Sequence, residues 1–137
     1  MAVTSWLVDK SALVRLPLAI DREMWESRLQ RGLLRVSNVT LLEVGYSAIS
    51  AKVARDAVST PPMSLMPVEF LTPGIEQRAL DVQIQLAERG EHRAASIPDL
   101  LVAATAEKLG LTALVVGKDF ALIAQVTGQP IETLEFE

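Results

Sequence analysis

Short apolar runs alternate with longer segments of helical periodicity along this chain, and this alternation predicts its fold. The apolar runs that we expect to form strands are 6–8, 33–37, 66–71, 113–116 and 131–134. The segments that we expect to form helices are 10–16, 24–31, 40–59, 73–89, 98–109 and 120–126. Strands that alternate with helices favour a parallel sheet with helices on both faces. The pattern therefore predicts an α/β fold.

Proline and glycine mark the expected ends of several helices. The segment Thr60-Pro61-Pro62 should stop the helix before it, because proline lacks the amide that a helix interior needs. Gly32, Gly90 and Gly110 follow three other helical segments, as glycine commonly does. Pro67 favours an edge position for the strand expected over 66–71.

Length and composition indicate one domain over residues 1–137. Half of the residues are hydrophobic, so a chain of 137 residues can bury a sizeable core without crosslinks. There is no cysteine, which excludes disulfides and cysteine-based zinc sites. The N-terminal residues lack the basic start and apolar stretch of a secretory signal, and we expect a soluble, cytoplasmic protein.

The net charge of −4 argues against nucleic acid being bound by the whole surface, since that mode relies on many cationic contacts to phosphates. A local basic rim is still compatible with this charge. The candidates for it are Lys10, Arg15, Arg28, Arg31, Arg35, Arg89, Arg93 and Lys118.

Four acidic residues stand where a strand or turn is expected to meet a helix. Asp9 and Asp119 follow apolar runs, and Glu43 and Asp99 lie in the first turns of expected helices. The carboxyl ends of parallel strands share one edge of a sheet, so these acids can meet in one pocket. Carboxylates held close together repel each other unless a cation neutralises them. Mg²⁺ or Mn²⁺, which prefer oxygen ligands, would suit such a pocket.

Each acid also has a purely structural interpretation. Thr40 and Glu43 have the spacing of a capping box, and so do Ser96 and Asp99. Asp9 and Asp119 could be N-caps, because acids at helix starts are stabilised by the helix dipole. The chemical interpretation therefore depends on the four acids sharing one site.

A metal held by clustered carboxylates favours hydrolysis of phosphodiesters, because it activates water and stabilises charge on phosphoryl oxygens. In a second enzyme hypothesis, Asp9 is the nucleophile of a haloacid-dehalogenase-like phosphatase. That chemistry needs an acid two positions later, where this chain has Ser11. Metal-dependent phosphodiester hydrolysis is the better supported class.

The sequence around these acids resembles that of a PIN domain, and specifically that of a VapC-type toxin ribonuclease of a bacterial toxin–antitoxin system. The matching segments are WLVDKSAL, VTLLEVGYSA, HRAASIPDLLVAATAEKLGL and VVGKDFALIAQVTGQP. They cover most of the chain in the order of the family. The resemblance implies a PIN-like three-layer fold, with a parallel sheet of four to five strands flanked by helices.

The resemblance also implies a function and a set of site residues. It implies a magnesium-dependent endoribonuclease, Mn²⁺ being a possible substitute, and a homodimer that is silenced by a VapB-type antitoxin. Asp9 and Asp99 would be the principal metal ligands, Glu43 would complete or orient the site, and Asp119 would add a further carboxylate. Many relatives carry one more acid at the position of Gly117. The second metal position, or activity itself, could be weakened here, which leaves open a PIN module that serves mainly in protein binding.

Some other residues invite a functional interpretation. Arg93 and Lys118 are candidates for binding RNA, since a cation beside the acids can hold phosphate, although both could be plain surface charges. His92, the only histidine, stands in a polar segment and is expected to be solvated. The aromatic residues do not form a base-stacking pattern with basic ones. Trp25 is expected on a partner surface.

Overall fold

Five strands form one parallel sheet in the computed structural model, which describes residues 3–137. The first two residues of the expected domain 1–137 lie outside the described residues. The strands are β1 (Trp6–Val8), β2 (Leu34–Ser37), β3 (Val68–Glu69), β4 (Thr112–Val115) and β5 (Ile131–Thr133). Their order across the sheet is β3-β2-β1-β4-β5. The predicted α/β fold with a parallel sheet of four to five strands is confirmed.

Helices connect the strands and cover the sheet. The α-helices are α1 (Lys10–Leu13), α2 (Arg22–Gln30), α3 (Asn38–Ser47), α4 (Ala51–Ser59), α5 (Pro73–Glu88), α6 (Ile97–Leu109) and α7 (Asp119–Thr127). Two short 3₁₀ helices, Leu16–Leu18 and Met63–Leu65, complete the connections. None of the helices in residues 3–137 has the length and apolar content that crossing a bilayer requires.

Alternate residues of β1 pack into two different cores, as the pleat of a strand requires. Leu7 belongs to the core beneath α5, α6 and α7, whereas Trp6 and Val8 belong to the core beneath α1 and α2. Helix α5 contributes to the first core the four residues whose helical spacing predicts burial, Ile75, Ala79, Val82 and Leu86. Burial on both faces explains why β1 is uniformly apolar.

The expected helix over 40–59 is wrong in two respects. It begins at Asn38, because the Ser37 side chain accepts a hydrogen bond from the Val39 amide and caps the helix there. It is also broken after Ser47, since Ala48 takes an extended conformation and Ser50 caps a new helix through the Val53 amide. The capping serines Ser37 and Ser50 therefore set the starts of two separate helices, although the apolar pattern predicts one continuous helix.

The expected placement of Trp25 on a partner surface is also wrong. Trp25 is only 5% exposed, and its ring meets that of Trp6 edge-on with 5.4 Å between the ring centroids. The Arg28 guanidinium lies over both rings, 4.4 Å from the Trp6 centroid and 4.5 Å from the Trp25 centroid. Stacking of a cation on two rings allows the short α2 to bury its tryptophan.

Candidate active site

A cleft of about 290 Å³ opens at the carboxyl edge of the sheet, beside the ends of β1 and β4. The strand order reverses between these two strands, and in open α/β sheets such a reversal leaves a crevice. We call this space the acid cleft; its lining includes Asp9, Ser11, Glu43, Asp99 and Asp119, together with Lys10 and Arg15. The four acids that are far apart in sequence therefore lie around one cleft.

Asp9 is held at the end of β1 by Ser11. The Asp9 Oδ2 atom accepts hydrogen bonds from the Ser11 amide at 3.1 Å and from the Ser11 hydroxyl at 2.6 Å. The same hydroxyl accepts a hydrogen bond from the Val116 amide at 3.0 Å, which ties the end of β4 to Asp9. Asp9 is both the predicted N-cap of α1 and a wall of the acid cleft, and it is only 6% exposed.

Asp99 lies in the first turn of α6 and forms the predicted capping box. The Asp99 amide donates to the Ser96 hydroxyl at 3.1 Å, and the Ser96 amide donates to Asp99 Oδ2 at 3.3 Å. Only the second bond uses a carboxylate oxygen, and Asp99 also lines the acid cleft. Capping and a place in the cleft are therefore compatible for Asp99.

Glu43 does not form the capping box that its spacing from Thr40 suggests, because α3 begins two residues before Thr40. Thr40 is buried and its hydroxyl has no hydrogen-bond partner among the described residues. Glu43 lies in the middle of α3, with its Oε1 atom buried and also without a partner there. Helix α3 thus places the Glu43 carboxylate at the cleft, and no hydrogen bond among the described residues accounts for its buried Oε1 atom.

Asp119 is not the N-cap of α7, a position that Lys118 occupies without a side-chain hydrogen bond to the helix. Asp119 is the first residue of the helix and is exposed at the rim of the cleft. Gly117 precedes them with a φ of +102°, a conformation that side-chain-bearing residues rarely adopt. An acidic residue at this position would be strained, so the backbone conformation explains why the chain has glycine here.

The charges of the acids in the cleft affect the pKa values of Glu43 and Asp99. Burial raises the pKa of Glu43 above its usual value, the charge of Asp9 raises it further, Lys10 lowers it, and Asp99 raises it. Burial likewise raises the pKa of Asp99; the hydrogen bond from Ser96 lowers it, whereas the charges of Asp9 and Asp119 raise it. Repulsion between negative charges is one cause of both shifts.

The donor set fits a hydrated hard cation better than an ion enclosed by protein ligands. Within residues 3–137, no three acidic or histidine side chains are grouped so that together they could hold a metal ion as they stand. Mg²⁺ typically keeps several waters and binds proteins through one or two carboxylates. The buried, unpartnered Glu43 Oε1 supplies an acceptor that a metal or its water could satisfy.

The basic residues divide into those that line the cleft and those that do not. Lys10 and Arg15 line it. Lys10 donates from Nζ to the Ser47 hydroxyl at 2.7 Å, and Arg15 donates from Nη1 to the Ser11 carbonyl at 2.7 Å. Arg93 and Lys118, the predicted RNA-binding residues, are exposed in the loops that precede α6 and α7. They stand outside the cleft lining but next to elements that contribute acids to it.

Sequence reasoning missed the part played by Ser11. Its position two residues after Asp9 served only to reject a phosphatase nucleophile, yet its hydroxyl joins Asp9 to β4. A serine two residues after an acidic N-cap is a signal that could have been used. The partner amide of Val116 could not have been found, because it lies 105 residues away in sequence.

Comparison with known proteins gives the family. The family model described as PIN domain matches residues 6–126. The chain belongs to the PIN domain family. Ribonuclease VapC2 of Mycobacterium tuberculosis (strain CDC 1551 / Oshkosh) is 59% identical over 129 residues, which cover 94% of this chain and 92% of that relative. This PIN domain is therefore of the VapC type.

Solved structures support the same fold. A DNA-bound VapBC from Salmonella typhimurium matches with a TM-score of 0.72 and 16% identity, over 96% of this chain and 98% of that chain. VapBC2 from Rickettsia felis, bound to a DNA fragment from the promoter, matches with a TM-score of 0.76 and 13% identity, over 96% and 100%. At these identities the likeness concerns the PIN fold alone.

Proposed function

We propose that this chain is the toxin of a type II toxin–antitoxin pair and a magnesium-dependent endoribonuclease that hydrolyses phosphodiester bonds in RNA. Its membership of the PIN domain family and its 59% identity to Ribonuclease VapC2 support the ribonuclease class. The observation that carries the metal-dependent chemistry is the acid cleft, where four carboxylates from separate elements share one space.

In this proposal Asp9 and Asp99 hold the metal ion directly. Each uses Oδ2 for a structural hydrogen bond, and each has a second oxygen for a ligand. Glu43, with its unpartnered Oε1, would complete or orient the site, and Asp119, at the exposed rim, would add a further carboxylate. When bound, Mg²⁺ or Mn²⁺ would supply an activated water and stabilise charge on the phosphoryl group.

The cations around the cleft bind the substrate. Lys10 and Arg15 line the acid cleft, and their charges attract a phosphodiester toward the carboxylates. Arg93 and Lys118 extend this positive rim from the loops before α6 and α7, where RNA leaving the cleft can reach them. Asp9 and Glu43 are kept in place by Ser11 and by α3, so the site is preorganised before RNA binds.

We also propose that the chain forms a homodimer and pairs with a VapB-type antitoxin protein. The structures from Salmonella typhimurium and Rickettsia felis are of VapBC complexes, which supports such a partner. A PIN module that only binds proteins is the second candidate, favoured by Gly117, where the family resemblance leads us to expect a further acid. The cleavage experiment below separates the two.

The test is cleavage of total RNA by the purified protein, followed by sequencing of the cleaved ends. In Mg²⁺ or Mn²⁺ we expect discrete cleavage sites, and none when EDTA removes the metal. Asp99→Asn should lower the rate about 100-fold or more, since metal-assisted charge stabilisation contributes several kcal/mol. The metal should also raise the melting temperature of the wild type more than that of Asp99→Asn.

The matched control is Asp81→Asn, an equal change on α5, where Asp81 accepts a hydrogen bond from Gln77 outside the acid cleft. This variant should cleave like the wild type. Equal cleavage in EDTA, or wild-type cleavage by Asp99→Asn, would show that the acids are not the catalytic centre. A folded wild type that neither cleaves RNA nor responds to metal would favour the protein-binding module.

A further inference from the structure

A second hollow, of about 360 Å³, adjoins the acid cleft on the side of α3. We call it the tyrosine hollow; it is lined by Lys10, Val39, Leu42, Glu43, Tyr46 and Pro98. Lys10 and Glu43 line the acid cleft as well, so the two spaces share a wall. A group bound in the tyrosine hollow would therefore lie directly beside a group bound in the acid cleft.

The lining of the tyrosine hollow is mostly apolar and contains the only tyrosine of the chain. Tyr46 is 93% exposed and Leu42 is 67% exposed, both on α3. An exposed aromatic ring beside aliphatic side chains provides a flat face for another planar group. Nucleobases stack on such rings, and they do so with little dependence on base identity.

Lys10 provides the charge that distinguishes this hollow from a plain apolar patch. Its ammonium donates to the Ser47 hydroxyl at 2.7 Å, which holds the side chain across the boundary between the two spaces. The Ser47 hydroxyl in turn donates to the Glu43 carbonyl at 3.2 Å. An ammonium has three donors, so Lys10 can bind a phosphate oxygen while it keeps this bond.

We propose that the tyrosine hollow binds the base of the nucleotide that flanks the cleaved phosphodiester, with that base stacked on Tyr46 and the phosphate beside it bound by Lys10. This inference rests on the proposed ribonuclease function and adds a substrate subsite to it. One nucleotide can occupy both spaces because they share a wall, and within a nucleotide a single sugar joins the base to its phosphate. Tyr46 is in this view a residue that binds substrate and takes no part in bond cleavage.

A protein partner is the competing occupant, because exposed apolar residues continue beyond the hollow. Ile49 is 93% exposed in the turn after α3, and Val53 is 43% exposed on α4. A protein covering this face would contact Ile49 as well as Tyr46. A base in the tyrosine hollow would contact Tyr46 but not Ile49, since Ile49 does not line that hollow. Ile49 therefore provides a control with the same exposed fraction.

The experiment compares Tyr46→Ala, Tyr46→Phe and Ile49→Ala with the wild type, using a labelled single-stranded RNA that carries a cleavage site found in total RNA. Tyr46→Ala should raise KM about 5- to 150-fold, the range expected for loss of one base–aromatic stack, with kcat little changed. Tyr46→Phe keeps the ring and Ile49→Ala leaves the hollow intact, so both should cleave within about twofold of the wild type.

Substrates that lack one base locate the stack. For each nucleotide flanking the cleaved bond, an abasic form of the RNA is tested with the wild type and with Tyr46→Ala. At one position the abasic change should weaken wild-type cleavage by the same factor as Tyr46→Ala. The two changes together should then have no further effect, because they remove the same contact.

Affinity for a labelled single-stranded RNA of mixed sequence, followed by fluorescence anisotropy without added metal, separates failure of the subsite from failure of the proposed function. Loss of affinity in Tyr46→Ala supports the subsite even if the wild type cleaves nothing. Wild-type affinity and KM in Tyr46→Ala, or no RNA binding by the wild type, would overturn it. Equal losses in Tyr46→Ala and Ile49→Ala, accompanied by a change of molecular mass in solution, would assign the face to a protein partner instead.

Discussion

Ser11 connects chemistry and fold at the scale of one residue. Its hydroxyl donates to Asp9 Oδ2 at 2.6 Å and accepts from the Val116 amide at 3.0 Å. The bond to Asp9 holds Oδ2, so the other carboxylate oxygen of Asp9 would be the one to meet the proposed metal ion. Residues that orient metal ligands in this way are worth about 10- to 100-fold in metal affinity or activity. Ser11 is thus a positioning residue for the proposed metal site.

We predict that Ser11→Ala raises the Mg²⁺ concentration needed for half-maximal cleavage by about 10-fold, because Asp9 loses its orienting bond. The unfolding free energy should fall by about 1–3 kcal/mol, since the Val116 amide loses its partner. Ser11→Thr keeps the hydroxyl and should restore both values. Magnesium titrations of activity and thermal unfolding check this. A Ser11→Ala protein with unchanged magnesium dependence would leave Ser11 a purely structural role.

Helix starts are the elements that place the acids. The capping box of α6 fixes Asp99 through two bonds to Ser96, and the capping bond from Ser11 fixes Asp9 at α1. Glu43 is placed differently, by the length of α3 after its start at Ser37. Capping bonds therefore fix two of the four carboxylates, Asp9 and Asp99, and the start of α3 sets the position of Glu43.

We predict that Ser96→Ala destabilises the protein by about 0.5–2 kcal/mol, the usual cost of losing an N-cap side chain. It should also weaken cleavage at limiting metal, because Asp99 loses the bond that orders its first turn. Ser50→Ala removes the same kind of cap from α4, which contributes no residue to the acid cleft.

Urea unfolding and cleavage rates at low Mg²⁺, measured on both variants, separate the two effects. The Ser50→Ala variant should lose stability but keep the metal dependence of the wild type. If both variants lose activity in proportion to stability, Ser96 has no role beyond capping.

At the scale of the whole molecule, burial of the Glu43 carboxylate and its repulsion by neighbouring acids in the acid cleft cost stability that the fold must offset. The raised pKa of Glu43 means that the folded protein binds a proton there more tightly than the unfolded chain does. The ionised carboxylate therefore lowers stability at neutral pH. As the pH falls through the raised pKa toward the ordinary value of 4.5, this destabilisation is progressively removed. A bound cation should remove it too.

We predict that, in EDTA at pH 7, Glu43→Gln has a higher unfolding free energy than the wild type. This difference should narrow as the pH falls toward 4.5, because the raised pKa lets the wild type take up its proton there, and also on addition of Mg²⁺ at pH 7. Glu88→Gln, an equal change at the exposed end of α5, should follow the wild type. A Glu43→Gln protein less stable than the wild type at pH 7 would contradict a cost of burying this charge beside other acids.

The amino-acid sequence by itself determined the elements and their alternation, because hydrophobic period and capping residues are local signals. The buried face of α5, the capping box at Ser96 and the glycine after α6 could all be predicted from it. The family could be recognised as well, from motifs around Asp9, Glu43, Asp99 and Asp119. Two predictions from the sequence were wrong. The start of α3 was set by the Ser37 cap, and the burial of Trp25 was made possible by stacking with Trp6 and Arg28.

Only the tertiary structure decided which groups share a space. The bond between Ser11 and Val116, and the wall that joins the acid cleft to the tyrosine hollow, depend on the order of strands across the sheet. That order is set by which apolar faces pack together over the whole chain. A local pattern states that a residue begins a helix; the packing of distant segments determines what that residue meets.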